Sequence, residues 1–177
     1  MKTLLIIRHA KSSWDNALVK DIDRPLNDRG KRDAPAMGRR LLQAGVKIGI
    51  FVSSPAKRAR NTAELIIHEY GRSEKDILFI PELYHAQIQA FNETIARLDD
   101  RWDSAALFSH NPGITAFVNS LNTIRVDNMP TCGIFAVRSA APSWSEFAAT
   151  QAEFWFFDYP KTLPGSHGSM SGVNPAD

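Results

Sequence analysis

Residues 4–15 read LLIIRHAKSSWD, in which the aliphatic side chains of Leu4–Ile7 are followed directly by Arg8 and His9. A continuous apolar run of this length is typical of a strand covered on both faces of its sheet. The run stops on a cation and an imidazole, the two kinds of side chain that are costly to bury. We therefore expect this strand to present two polar groups at its carboxyl end.

The rest of the chain alternates strand-like and helix-like segments. Such alternation predicts an α/β protein with three layers, α/β/α, in which helices cover both faces of a mostly parallel sheet. The late pair is predicted to be an antiparallel edge, because no helix of crossover length separates its strands. The predicted strands are IGIFVSS (48–54), DILFIPEL (76–83), AALFSH (105–110), GIFAVRS (133–139) and EFWFFDY (153–159). The predicted helices run from a cap at Asn27 to about Ala44, from a cap at Ser54 with Pro55 first to Gly71, from Asn92 to about Arg101, and over 113–121.

Composition limits the kind of protein encoded. The 177 residues are 44% hydrophobic and 23% charged, with a net charge of +2. These values indicate one globular domain over residues 1–160, followed by a turn-rich C-terminal tail over 161–177. The weak charge predicts no nucleic-acid partner, and the short N-terminal apolar run predicts neither a membrane span nor a signal peptide. We expect a cytoplasmic protein in which the single cysteine, Cys132, is buried and inert.

Polar side chains follow several of the predicted strands. Arg8 and His9 follow the first strand, Arg58 lies one helical turn beyond the second, and His110 ends the strand AALFSH. Glu82 lies near the end of the strand DILFIPEL. The carboxyl ends of parallel strands share one edge of the sheet, so these groups would form a positive pocket suited to a phosphoryl group. A neutral imidazole can attack phosphorus, and guanidinium groups can stabilise the charge on its oxygens.

Each feature alone has an ordinary explanation. Arg8 and His9 could be a strand end reaching solvent, SSPAKR a capped helix start, His110 a loop histidine and Glu82 a surface carboxylate. Their coincidence at one predicted edge favours function. His85 could line the pocket mouth, although an exposed loop position is favoured. The five histidines show no ligand spacing on one element, so neither a metal nor another cofactor is predicted.

Four motifs resemble those of the histidine phosphatase superfamily, which has the phosphoglycerate mutase-like fold. They are R-H-A after the first strand, S-P-x-x-R-A-x-x-T-A at 54–63, P-E-L at 81–83 and S-H-N-P at 109–112. The opening RHAKSSWD and the segment RPLNDRGKRDA at 24–34 are most similar to the SixA-like phosphohistidine phosphatase branch. The resemblance extends over about residues 1–138, and together these motifs are highly specific.

The resemblance implies a role for each matching residue. His9 would be the phosphorylated nucleophile, Arg8 and Arg58 the phosphate clamps, and His110 the second histidine of the pocket. Glu82 falls near the proton donor of related phosphatases. Ala10 stands where the wider family has glycine, and we expect only a local adjustment there. Gly30 lies inside the first predicted helix, and close packing against a neighbour is its expected reason.

These observations predict a metal-independent phosphatase that acts through a phospho-His9 intermediate. The expected substrate is phosphohistidine on a protein of the histidine-containing phosphotransfer type, since the short segments between motifs leave little chain for a lid. A small-molecule phosphate ester is the alternative substrate. A non-catalytic phosphate-binding module is a second alternative, and it would tolerate loss of His9. The sequence makes no prediction of oligomeric state.

Overall fold

In a computed structural model, which describes residues 1–162, one six-stranded sheet carries helices on both faces. Most of the predicted tail, residues 163–177, lies outside the described residues. The strands are β1 Lys2–Arg8, β2 Ile50–Ser53, β3 Ile77–Phe79, β4 Ser104–Ser109, β5 Ile134–Ser139 and β6 Ala152–Asp158. The α-helices are α1 Asp28–Gln43, α2 Lys57–Glu69, α3 Ile88–Ala96 and α4 Gly113–Leu121. Short 3₁₀ turns cover Asp21–Asp23, Glu74–Asp76, Pro81–Leu83 and Trp144–Ala149.

The strand order is β3-β2-β4-β1-β5-β6. The first four strands are parallel, while β5 pairs antiparallel with both β1 and β6. The mostly parallel sheet and the antiparallel late pair are therefore confirmed. In the parallel register Arg8 lies beside Ser109, so the residues that follow β1 and β4 emerge next to each other.

The run that opens β1 is buried on both faces of the sheet, as its continuous apolar pattern predicts. Leu4 and Ile6 belong to the core under α3 and α4, and Leu5 and Ile7 belong to the core under α1 and α2. All four side chains are fully buried. Because successive residues of a strand point to opposite faces, a doubly covered strand has no solvent-facing position.

Three predicted boundaries are wrong. The second helix begins at Lys57, because Ser54–Ala56 form a turn in which the Ser54 hydroxyl accepts a hydrogen bond from Ala56 N at 3.3 Å. β3 ends at Phe79, since the proline in PEL suits the start of the 3₁₀ turn Pro81–Leu83. The third helix is α3, Ile88–Ala96, and Phe91 and Ile95, four residues apart, give it one buried face.

The first helix matches its prediction closely. It spans α1, and the Asn27 side chain caps it by accepting from Gly30 N at 2.9 Å. A Cβ on Gly30 would lie only 2.2 Å from Lys11 O, which confirms the close packing expected there. Cys132 is buried, and burial raises the pKa of its thiol. Within residues 1–162, no helix has both the length and the apolar character required to cross a membrane.

Candidate active site

The carboxyl ends of three neighbouring strands form the site. Backbone hydrogen bonds join these ends: His9 N donates to Ser109 O at 3.1 Å, and Ser54 N donates to Phe108 O at 3.0 Å. The rings of His9 and His110 consequently lie 5.1 Å apart between centroids. Arg58, in the first turn of α2, reaches His9 with its side chain. The structure thus brings together four of the five residues predicted from the sequence.

Two hydrogen bonds fix the tautomer of His9. A carbonyl can only accept, so Nδ1, 2.8 Å from Ala10 O, carries the proton. A guanidinium can only donate, so Nε2, which Arg58 Nε approaches at 3.3 Å, carries a lone pair. Burial, with the nearby Arg58, Arg8 and Arg24 charges, lowers the pKa of His9 to about 3. His9 is therefore a neutral imidazole whose Nε2 keeps its lone pair among cationic groups.

The two predicted clamps are held by backbone oxygens. Arg58 is buried and donates to Asp21 O at 2.7 Å and to a carboxylate oxygen of Asp21 at 3.1 Å. Arg8 donates to Met129 O at 2.7 Å. Both side chains lie close enough to His9 to lower its pKa. Guanidinium groups held in this way can bind two oxygens of a phosphoryl group.

His110 is the second imidazole of the site. Its Nε2 lies 2.8 Å from the Ser54 hydroxyl oxygen, whereas its buried Nδ1 has no hydrogen-bond partner among the described residues. Burial and the neighbouring His9 and Arg58 lower its pKa to about 2. An oxyanion beside this ring would favour its charged form and would give Nδ1 an acceptor.

Ala10 is accommodated without a left-handed backbone. The non-glycine residues with positive φ in the described chain are His85 and Cys132, so Ala10 keeps an ordinary conformation. Its N–H donates to the Thr62 hydroxyl oxygen at 2.9 Å, and that hydroxyl donates to Arg58 O at 2.7 Å. The threonine of the predicted motif thereby links the nucleophile loop to the helix that carries Arg58.

Sequence reasoning missed three residues of the site. Asp21 accepts from Tyr84 Oη at 2.7 Å and from Arg24 Nε at 3.1 Å, in addition to Arg58. These donors, with Tyr84 the strongest, lower the pKa of Asp21 to about 2. Arg24 is buried and stacks 3.5 Å from the centroid of the Trp14 ring. The only sequence signal for this group was that Arg24 begins the RPLNDRG motif. Tyr84 lies far from Asp21 and Arg24 in the sequence, so no local pattern connects it with them.

Glu82 and His85 are both exposed, as the sequence favours for His85, but it is His85 that lines the cavity beside His110. Glu82 is exposed on the 3₁₀ turn Pro81–Leu83 and is not among the residues that line the cavity beside His110. His85 instead lines a cavity of about 460 Å³ that His110 also lines. The remaining wall comes from Ala86–Gln89 and from Asn111, Pro112, Gly113 and Ala116.

The chain is similar in sequence and in fold to known proteins. A family model for the histidine phosphatase superfamily, branch 1, matches residues 4–83, which include Arg8, His9 and Arg58. Over this stretch, which is a little less than half of the 177 residues, the chain is similar to the histidine phosphatase superfamily. This similarity supports a hydrolase with phosphatase activity.

Solved structures share the fold of this chain, and curated relatives share part of its sequence. An Agrobacterium tumefaciens protein assigned to the SixA phosphohistidine phosphatases aligns over 90% of this chain and 98% of its own, with a TM-score of 0.75 and 23% identity. The protein histidine phosphatase SixA complexed with tungstate gives 0.75, 23% identity and coverage of 89% and 97%. A 2,3-bisphosphoglycerate-dependent phosphoglycerate mutase from Bartonella tribocorum is 34% identical over 44% of this chain but only 38% of its own length. The fold is therefore that of the phosphoglycerate mutase-like proteins.

A metal site is not evident in the described part of the chain. Among residues 1–162, no group of three or more histidine, cysteine, aspartate or glutamate side chains lies close enough together to hold a metal ion. The cationic groups beside His9 are guanidinium side chains. These groups, rather than carboxylate ligands, are what the site offers to an anion.

Proposed function

We propose that this protein is a phosphatase that removes the phosphoryl group from phosphohistidine on a protein of the histidine-containing phosphotransfer type. The observation that carries the proposal is the fixed tautomer of His9, whose Nδ1 donates to Ala10 O while Nε2 keeps its lone pair. A neutral nitrogen held in this way is a ready nucleophile at neutral pH.

The reaction follows from these groups in two steps. His9 Nε2 forms a bond to phosphorus as the bond to the substrate imidazole breaks, and that imidazole leaves neutral after taking a proton from solvent. During the attack Arg58 Nε–H turns from His9 to a phosphoryl oxygen, and Arg8 and His110 contact the others. Water then attacks phospho-His9 and releases inorganic phosphate. The charge needed in both steps is supplied by guanidinium groups, so we propose that no metal takes part.

The mouth of the site supports a protein substrate. The loop between β1 and α1 exposes Trp14 and Leu18, whose side chains are 74% and 93% accessible. Trp14 stacks on Arg24, which binds Asp21 and thereby connects this loop to Arg58. Exposed aromatic and aliphatic groups beside a charged pocket suit a folded partner, because apolar contact adds affinity outside the reacting group.

A small phosphate ester is the second candidate substrate. The cavity of about 460 Å³ beside His110 favours it, because this volume lies in the range of small-molecule sites, about 300–1,000 Å³. The non-catalytic alternative is disfavoured, since a module that only binds phosphate has no need of a fixed nucleophilic tautomer at His9.

The test of the proposal is to trap the intermediate. Wild type quenched in base during turnover of a phosphorylated histidine phosphotransfer domain is expected to carry phosphate that survives base and is lost on acid treatment, as a phosphoramidate is. His9→Ala is expected to lose both label and turnover, and His68→Ala, which changes an exposed histidine of α2, is the matched control. A chelator is expected to leave the rate unchanged. Label on serine or aspartate, or a large chelator effect, would contradict the proposal.

A further inference from the structure

The turn that follows β3 is fixed at both of its ends. The Ser109 hydroxyl, at the end of β4, donates to Leu83 O at 2.8 Å. Three residues later, Ala86 O lies so close to Gly113 that a Cβ there would be only 1.8 Å away. The residues between these anchors, Tyr84 and His85, are therefore held against the start of α4, immediately beside His110.

His85 occupies this turn in a strained conformation. Its φ is +55°, in the left-handed region that is uncommon for residues other than glycine, although asparagine, aspartate and histidine are enriched there. Such backbone costs about 1–3 kcal/mol and is concentrated at functional sites. The His85 ring packs on Tyr84 with centroids 3.9 Å apart, and the Tyr84 ring lies 5.7 Å from His110, edge-on. Three rings thus extend from the reaction centre to the cavity.

The cavity carries few groups able to transfer a proton. Of the described residues that line it, His85 and His110 are the two with an imidazole side chain. The pKa of His110 is lowered to about 2, and its Nε2 is engaged with Ser54. The glutamine and asparagine side chains of the wall can hydrogen-bond a ligand but cannot protonate it.

We propose that His85, rather than Glu82, is the catalytic acid of this site and that the cavity between His85 and His110 receives the leaving group of an alkyl phosphate monoester. The proposal rests on the phospho-His9 mechanism of the proposed function. His9 Nε2 bonds to phosphorus as the P–O bond breaks, and the His85 imidazolium gives its proton to the departing oxygen, so that a neutral alcohol leaves. Neutral His85 then takes a proton from the water that attacks phospho-His9, which restores both side chains and yields inorganic phosphate.

The need for this acid depends on the leaving group. An alkoxide is strongly basic, so its departure gains about 10²–10⁴-fold from a positioned acid. A nitrophenolate leaves without a proton, and the imidazole of phosphohistidine takes its proton from solvent. His85 therefore extends the activity to alkyl esters, while phosphohistidine and aryl phosphates react without it.

The experiment compares three substrates with variants at His85 and Glu82. His85→Asn keeps the backbone, because asparagine tolerates positive φ, but it removes the proton. We expect its kcat/KM to fall about 10²-fold on glycerol phosphate and to stay within about threefold on p-nitrophenyl phosphate and on a phosphohistidine peptide. The matched control is His68→Gln, which is expected to leave all three values unchanged.

Three results would overturn the assignment. They are equal losses on all three substrates in His85→Asn, a selective loss on glycerol phosphate in Glu82→Gln instead, and no hydrolysis of glycerol phosphate by wild type. The phosphohistidine peptide tests the proposed function independently of the role of His85. If wild type hydrolyses the peptide through phospho-His9 while His85→Asn shows no selective effect, only the role of His85 is lost.

Discussion

At the scale of single residues, the two buried imidazoles make the site sensitive to acid. His9 and His110 are neutral in the folded protein because burial and neighbouring guanidinium groups lower their pKa values to about 3 and about 2. An unfolded histidine titrates near pH 6.5. Below that value the unfolded chain binds protons that the folded protein does not bind, so the free energy of unfolding decreases as the pH falls from about 6.5 towards 3.

This linkage predicts the behaviour of His110→Gln. Each buried histidine contributes a slope of at most about 1.4 kcal/mol per pH unit over this window. The variant keeps a polar amide and removes one titrating ring, so its free energy of unfolding should fall less steeply with acid than that of wild type. Urea unfolding between pH 7 and pH 4 measures both slopes. Identical slopes would mean that His110 is not held neutral by the fold.

At the scale of elements, the site depends on how closely α1 approaches the loop after β1. A Cβ on Gly30 would meet Lys11 O at 2.2 Å, and Lys11 follows directly after His9 and Ala10. Eight residues further along the same helix, a Cβ on Gly38 would meet side-chain Cγ of Glu69 at 3.1 Å and Cα of Ile66 at 3.2 Å. One glycine therefore faces rigid backbone of the nucleophile loop, and the other faces a partly flexible neighbour on α2.

The two glycines form a matched pair for mutation. Alanine gains about 1 kcal/mol of helix propensity at either position. At Gly30 we expect overpacking to outweigh that gain, with a net loss of about 1–3 kcal/mol in the free energy of unfolding. A lower kcat/KM should accompany this loss, because His9 is displaced. Gly38→Ala should stay within about 1 kcal/mol of wild type and keep its activity. Thermal unfolding and steady-state rates measure both effects, and equal behaviour of the two variants would refute the argument.

At the scale of the whole molecule, anion binding should stabilise the fold, because the site joins the ends of β1, β2 and β4. A ligand that binds only the folded state raises the free energy of unfolding by about 2.7 kcal/mol at one hundred times its Kd. We expect tungstate or inorganic phosphate to raise the Tm of wild type in a concentration-dependent way. Arg58→Ala should abolish most of this shift, and Arg58→Lys should retain part of it, since lysine keeps the charge without the planar fork.

The anion titration must be compared in a way that allows for the lower stability of the Arg58 variants. Arg58 is buried and paired with Asp21, so Arg58→Ala itself should be less stable than wild type. The comparison therefore uses the anion-induced shift of each variant rather than its absolute Tm. A shift as large in both variants as in wild type would place anion binding away from Arg58.

The sequence by itself determined the layered fold and the common location of four candidate site residues. The doubly buried run Leu4–Ile7, the alternation of strands with helices and the absence of a crossover helix before β6 follow from periodicity, which is a local property. Four residues could be placed together from the sequence because the carboxyl ends of parallel strands lie at the same edge of the sheet. They are Arg8, His9, Arg58 and His110.

Only the tertiary structure decided the chemistry within that edge. The tautomer of His9 depends on Arg58, 49 residues away, and Asp21 joins the site through Tyr84, 63 residues away. The exposed position of Glu82 and the cavity position of His85 depend on a tight turn whose left-handed residue is held from outside by Ser109 and Gly113. Burial, long-range hydrogen bonds and steric anchoring arise only when separate elements pack together, so no local pattern encodes them.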